Sequence, residues 1–183
     1  MSTQATPLAN QVVMVTGAAQ RVGAVIAKQL HALGANIVIH YRSSRSAAET
    51  LADELTANRQ DSVELIQADL ADVNNFSSLV SAVTHKWKRL DALVNNASSF
   101  YPTPVGEITE TQWDDLITSN VKGPLFLSQA LAPMLKQQQG CIINIADIHA
   151  QRPLKNHSVY CIAKAGLVML TKSLALELGP KIR

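Results

Sequence analysis

Short runs of mostly apolar residues, at 12–15, 37–39, 63–66, 92–94 and 141–145, recur between longer segments whose apolar residues follow a helical period. No other feature constrains the fold as strongly. Apolar runs this short are not helices and read as buried strands. The segments between them read as helices. The first, 23–33, has Val22, Ile26, Leu30 and Leu33 at helical spacing and Gly34 as its stop. The second, 47–57, has Leu51 and Leu55 on one face, and the third, 74–88, turns Phe76, Leu79, Val80 and Val83 inward. A long helix is predicted over 111–138, with Pro124 and Pro133 as boundaries or kinks, and a last one over 159–178, ended by Gly179-Pro180. Strands without a polar face must be covered on both sides, which predicts an α/β fold with a doubly wound parallel sheet flanked by helices.

The chain of 183 residues reads as a single domain over 1–183. With 47% hydrophobic and 16% charged residues it is globular, and a net charge of +2 is too small to imply a nucleic-acid or membrane surface. No apolar run approaches the roughly 20 residues a bilayer needs. The opening MSTQATPLAN lacks the basic start and apolar core of a secretory signal, so a cytoplasmic location is expected by default. Cys141 and Cys161 read as buried free thiols, not as a disulfide or metal pair. The six-strand version of such a fold continues with another strand after the last helix. The end at Lys181-Ile182-Arg183 therefore reads as a truncation, with C-terminal strands and a substrate loop missing.

Open sheets of this type bind ligands at the carboxyl ends of their strands. The first such end carries Thr16-Gly17-Ala18-Ala19-Gln20-Arg21-Val22-Gly23. Gly17 permits a tight turn, the alanines let a ligand approach the backbone, and the following helix N-terminus offers N–H groups to a pyrophosphate. Arg21 either reaches phosphate oxygens or is a solvated first-turn residue. After the second strand, His40-Tyr41-Arg42-Ser43-Ser44-Arg45 has no acid before Glu49. A dinucleotide without a 2′-phosphate asks for a carboxylate there. Arg42 with the hydroxyls of Ser43 and Ser44 instead suits that phosphate, which favours NADP(H) over a basic loop facing solvent. Asp69, in Ala68-Asp69-Leu70, can accept from the adenine amino group or cap its own turn. Asn95-Asn96-Ala97 closes the fourth strand, and its amides can pin strand ends or line the cleft.

Tyr160 and Lys164, spaced i, i+4, share one helix face. An ammonium beside a phenol lowers the phenol's pKa and makes it a general acid near neutrality. Asp147 lies thirteen residues before Tyr160. Asn120, on the long helix, either frees a backbone carbonyl to hold a proton-relaying water or is a satisfied buried amide.

The turn TGAAQRVG, the NNA at 95–97, Asn120, the 144–147 segment and the Tyr160-Cys161-Ile162-Ala163-Lys164 motif stand in the order found in short-chain dehydrogenases/reductases, and nearly the whole chain resembles that Rossmann-like family. There the tyrosine is the acid/base, the lysine also holds the nicotinamide ribose, and the asparagine orders a relay water. The family's usual serine is replaced here by Asp147. That departure, Arg21 in the glycine turn, the basic stretch His40-Tyr41-Arg42-Ser43 and the segment Asn96-Ala97-Ser98-Ser99-Phe100-Tyr101-Pro102-Thr103-Pro104 resemble the pteridine reductases within the family.

The resemblance implies NADPH-dependent reduction of a pterin or dihydrofolate ring. Asp147, Tyr160, Lys164 and Asn120 would be catalytic. Cofactor contacts would come from Gly17, Gln20, Arg21, Val22, His40, Tyr41, Arg42, Ser43, Asp69, Leu70, Asn96, Ala97, Ser98, Tyr160 and Lys164. Substrate contacts would come from Arg21, Ser98, Phe100, Asp147 and Tyr160. Phe100 would stack on one pterin face; without the resemblance it reads as an apolar loop plug. A carbonyl or 3-oxoacyl reductase, and a cofactor-binding fragment without turnover, are the alternatives. Family members form dimers or tetramers partly through the helices at 111–138 and 159–178, which implies a homodimer or homotetramer.

Overall fold

The computed structural model describes residues 6–183; residues 1–5, half of the opening stretch read above as no secretory signal, lie outside the described residues. Five parallel strands, β1 (Val12–Val15), β2 (Asn36–Tyr41), β3 (Val63–Gln67), β4 (Ala92–Asn95) and β5 (Cys141–Asn144), form one sheet in the order β3-β2-β1-β4-β5. The order reverses at β1, so a crevice opens where the chain leaves β1 and β4 in opposite directions. Side chains alternate along each strand and divide the core between two faces. Val13, Val15, Ile37 and Ile39 pack with α1 (Arg21–Ala32) and α2 (Arg45–Asn58). Val12, Met14, Val38 and Leu93 pack on the other face with α3 (Phe76–His85) and α5 (Gly123–Gln137). The fold is the doubly wound, Rossmann-like arrangement that the apolar strands predict.

Several boundaries and faces differ from the sequence-based expectation. α1 buries Gly23, Ala27 and His31, while Val22 and Leu33 are exposed at 59% and 43%. Small residues at Gly23 and Ala27 let the helix lie close to the sheet; Ile26 and Leu30 pack against the core as expected, whereas Val22, Val25 and Leu33 turn outward. The third helix is shorter than 74–88: a 3-10 turn at Val73–Asn75 leads into α3, which ends at His85. The segment 111–138 is not one regular helix. α4 (Glu110–Ile117) runs into a wide π-type turn, Thr118–Lys122, and then into α5. Pro124 has no N–H for the Asn120 carbonyl four residues earlier, so the α ladder cannot continue through this point.

β5 is only partly covered, with Ile143 47% exposed. Its outer edge is met by Arg183, whose N–H donates to the Gly140 carbonyl and whose carbonyl accepts from the Ile142 N–H. Cys141 and Cys161 are free thiols but half-buried, not fully buried. α6 (Ser158–Leu178) corrects the statement that no run approaches bilayer length: it is long and apolar enough by length and composition. Its Val159, Tyr160, Ala163, Lys164 and Leu167 face is packed into the fold, while Ile162, Met169 and Leu176 are exposed.

His40 overturns its reading as part of a basic loop. It is buried, its Nδ1 accepts the Gly17 N–H at 3.2 Å, and its Nε2 meets the Ala68 carbonyl at 3.1 Å. Those partners require the neutral ring with the proton on Nε2. Burial pushes its pKa down to about 4, against 6.5 for the free side chain. Tyr41 is buried too, so only Arg42 and Ser43 of that stretch reach solvent. Between the two pKa values the unfolded chain binds a proton that the folded chain refuses. The stability from neutral His40 is therefore complete above pH 6.5 and is lost as pH falls toward 4, by about 3 kcal/mol in all. Urea unfolding between pH 8 and 4 should show this slope, and His40→Gln should flatten it.

Candidate active site

At the end of β1 the chain must turn sharply under the sheet's carboxyl edge. Gly17 takes a left-handed φ of 60°, and a Cβ there would meet the Ala97 Cα at 3.0 Å. Its N–H is committed to His40, and the Ala18 N–H to the His40 carbonyl. Asn96 ties the turn to β4: its Nδ2 donates to the carbonyls of Thr16 (2.9 Å) and Gly17 (3.2 Å). Thr16 Oγ1 accepts from the N–H groups of Asn96 and Ala97 at 2.9 and 3.0 Å. Asn95 donates to Asn144 Oδ1 at 2.8 Å and so joins β4 to β5. These amides pin strand ends.

α1 then opens at Arg21 with no side-chain cap from Gln20, which leaves first-turn N–H groups for a ligand. Arg21 itself has φ 52°, a left-handed conformation that costs a non-glycine residue energy. Its exposed side chain stands at the cleft, where a glycine would relieve the strain but lose the cation.

The cleft has a volume of about 730 Å³. It brings together Gly17, Gln20, Arg21, Val22, His40, Tyr41, Arg42, Ser43, Asp69, Leu70, Asn96, Ala97 and Ser98, every proposed cofactor contact except Tyr160 and Lys164. Arg42 makes no ion pair among the described residues, whereas Arg45 is taken by Glu49 at 2.8 Å. Asp69 Oδ1 caps its own turn by accepting the Ala71 N–H at 2.9 Å. The facing wall, Thr111, Asp114, Asp115, Thr118 and Ser119, was not singled out in the sequence. No local signal assigns one face of a long helix to a cleft. Pro124 marked only where that helix would be distorted.

Beyond Ser98 lies a second cluster outside this volume. Tyr160 and Lys164 are buried on the first turns of α6, and the Tyr160 hydroxyl donates to Asp147 Oδ2 at 2.7 Å. Asp147 Oδ1 accepts the His149 N–H at 2.9 Å. Burial works to raise the Asp147 pKa, but the His149 N–H, the Tyr160 hydroxyl and the nearby His149 and Lys164 outweigh it and hold the carboxyl below its ordinary range. Lys164 does not tune the phenol as its spacing suggested. Its Nζ donates to the Ile145 carbonyl at 2.9 Å and stands 5.7 Å from the Tyr160 ring centroid. Burial, then the hydrogen bond to and charge of Asp147, push the Tyr160 pKa up, not down. The resting pair is therefore a carboxylate and a neutral phenol.

Asn120 is 1% exposed, and its side chain is fully engaged. Nδ2 donates to the carbonyls of Leu116 (3.0 Å) and Ser99 (3.1 Å), while Oδ1 accepts from Ser98 Oγ at 2.7 Å. Phe100 is 56% exposed, so it is not a buried plug. It stacks on His157, with centroids 4.8 Å apart and planes at 15°, and meets Tyr160 edge-on at 4.7 Å.

A phosphate-ready glycine turn at a sheet switch point, beside a helix-borne tyrosine and lysine, is the layout of a nicotinamide-dependent oxidoreductase. Residues 11–183 match the family model for short chain dehydrogenase, and the chain belongs to that family. Pteridine reductase 1 of Leishmania tarentolae is 39% identical over 92% of this chain and 71% of its own length. The 3-oxoacyl-(acyl-carrier-protein) reductase FabG of Staphylococcus aureus is 36% identical over 92% of this chain and 68% of its own. The Synechocystis 3-oxoacyl-(acyl-carrier-protein) reductase is 33% identical over 96% and 71%.

Proposed function

We propose that this protein is an NADPH-dependent reductase of a pterin or dihydrofolate ring. The observation that carries the reading is the Asp147–Tyr160 pair at 2.7 Å, beside the exposed ring of Phe100. A serine in the position of Asp147 suits a bare carbonyl. An ionised carboxylate is an acceptor, matched to the amino and ring N–H donors of a pterin. Phe100 offers a flat partner for such a ring.

The cleft fits the cofactor: uncapped first-turn N–H groups of α1 for the pyrophosphate, and Arg42, without an ion pair among the described residues, with Ser43 for a 2′-phosphate. NADPH, when bound, supplies the hydride. The chain supplies the rest. Asp147 holds the ring's N–H donors, and the phenol then donates its proton to the ring nitrogen next to the carbon that takes the hydride. Hydride and proton together saturate one C=N bond. Lys164 stays fixed on the Ile145 carbonyl at 2.9 Å, beside the phenol on the same helix.

A second reading, reduction of a 3-oxoacyl ketone, is favoured by the relatives that carry that name, and the Tyr160–Lys164–Asn120 set is compatible with either chemistry. Oxidation of NADPH and NADH, followed by nicotinamide absorbance with dihydrobiopterin, dihydrofolate and an acetoacetyl thioester, separates the two. The expected result is turnover of the pterin with NADPH. Turnover of the thioester alone overturns the substrate class, and equal use of NADH overturns the cofactor.

A further inference from the structure

α6 carries both Tyr160 and Lys164, yet its start is not capped locally. His157, the residue before it, makes no side-chain cap bond, and its ring lies on Phe100 instead. The first N–H groups of a buried helix need partners from elsewhere. Thr103, 56 residues away in sequence and fully buried, provides one: its Oγ1 accepts the Val159 N–H at 3.3 Å. Thr103 also donates its own N–H to the Asn156 carbonyl and forms an isolated parallel bridge with His157. At the other end of the same loop, Ser99 is held twice. Its N–H donates to Ser119 Oγ at 3.2 Å, and its carbonyl accepts from Asn120 Nδ2 at 3.1 Å. Phe100 sits between these two anchors, with its ring against Tyr160.

We propose that Thr103 is a positioning residue: from the loop that bears Phe100 it caps the helix that bears Tyr160, and so holds ring platform and proton donor in one register. This rests on the reductase reading above. The Ser119 and Asn120 bonds fix the loop to the wide turn after α4; the rings of Phe100 and Tyr101 pack against the start of α6, and among the described residues of the loop Thr103 is the one whose side chain hydrogen-bonds it. Without the hydroxyl the loop stays tethered while the N-terminus of α6, one residue from Tyr160, loses its cap.

Thr103→Val keeps the volume and removes the acceptor; Thr103→Ser keeps the acceptor, and Thr103→Ala repeats the loss if valine fails to fold. For the valine or alanine variant, kcat with dihydrobiopterin should fall about 10- to 100-fold, the cost of a small misplacement of reacting groups. NADPH affinity should stay within about twofold, because the cleft's glycine turn is untouched, and serine should restore most of the rate. Amide exchange at Val159 should quicken about tenfold in the hydroxyl-free variants, as loss of a cap predicts. An unchanged kcat, a serine variant no better than valine, or unchanged exchange at Val159 overturns the proposal. If the wild-type protein reduces no pterin, the reductase reading fails, and exchange at Val159 alone decides the cap.

Discussion

Tyr160→Phe should lower kcat by about 10²- to 10⁴-fold, the usual span for removing a positioned general acid, while NADPH binding measured by fluorescence titration stays intact. In the proposed reaction this hydroxyl is the proton donor. Its bond to Asp147 shows where the proton points, and burial beside that carboxylate keeps it on oxygen at neutral pH. The fold should tolerate the change. Asp147 keeps the His149 N–H, and the ring of Tyr160 keeps its packing with Leu116, Val159 and Phe100. The directions of the two shifts also set the pH profile. Asp147 titrates below the ordinary carboxylate range and Tyr160 above the ordinary phenol range, so kcat of the wild-type protein should be flat through neutrality. A Tyr160→Phe protein retaining a tenth or more of the wild-type rate would remove the phenol from the mechanism.

Gly23→Ala should be the most damaging single methyl in the cofactor half of the protein. A Cβ at Gly23 would stand 2.4 Å from the Gly17 carbonyl oxygen, 2.6 Å from Asn96 Nδ2 and 2.9 Å from the Ala18 Cα. None of these atoms is the free end of a flexible chain. The Gly17 carbonyl and Asn96 Nδ2 are already bonded to each other, and the Gly17 N–H is held by His40. α1 would have to back away from the turn, costing about 3 kcal/mol of stability by the scale of overpacked cores, or roughly 6–12 °C in Tm for a chain of this size. The same shift would pull the first-turn N–H groups off the pyrophosphate, so NADPH affinity should fall together with Tm. A stable variant with unchanged affinity would mean that the turn is not the phosphate site.

The amino-acid sequence by itself determined the layer architecture. The apolar runs within β1, β2 and β4 can be buried only in a sheet covered on both faces, and the glycines of the first turn, with Tyr160 and Lys164 at i, i+4, marked the two halves of the candidate site. Local pattern suffices there because each signal depends on neighbours a few residues away. Burial and distant partners are not local, and they decided the rest. His40 looks basic beside Arg42, but the fold seals it under the glycine turn and makes it a neutral acceptor. Lys164 looks like the modulator of Tyr160, but the loop after β5 brings Asp147 to the phenol and the Ile145 carbonyl to the ammonium, and the direction of the shift reverses. Thr16 and Thr103 stand inside motifs legible in the sequence, but nothing local shows what they do, because a threonine hydroxyl gains meaning only from the backbone N–H it meets, and theirs lie 80 and 56 residues further along the chain.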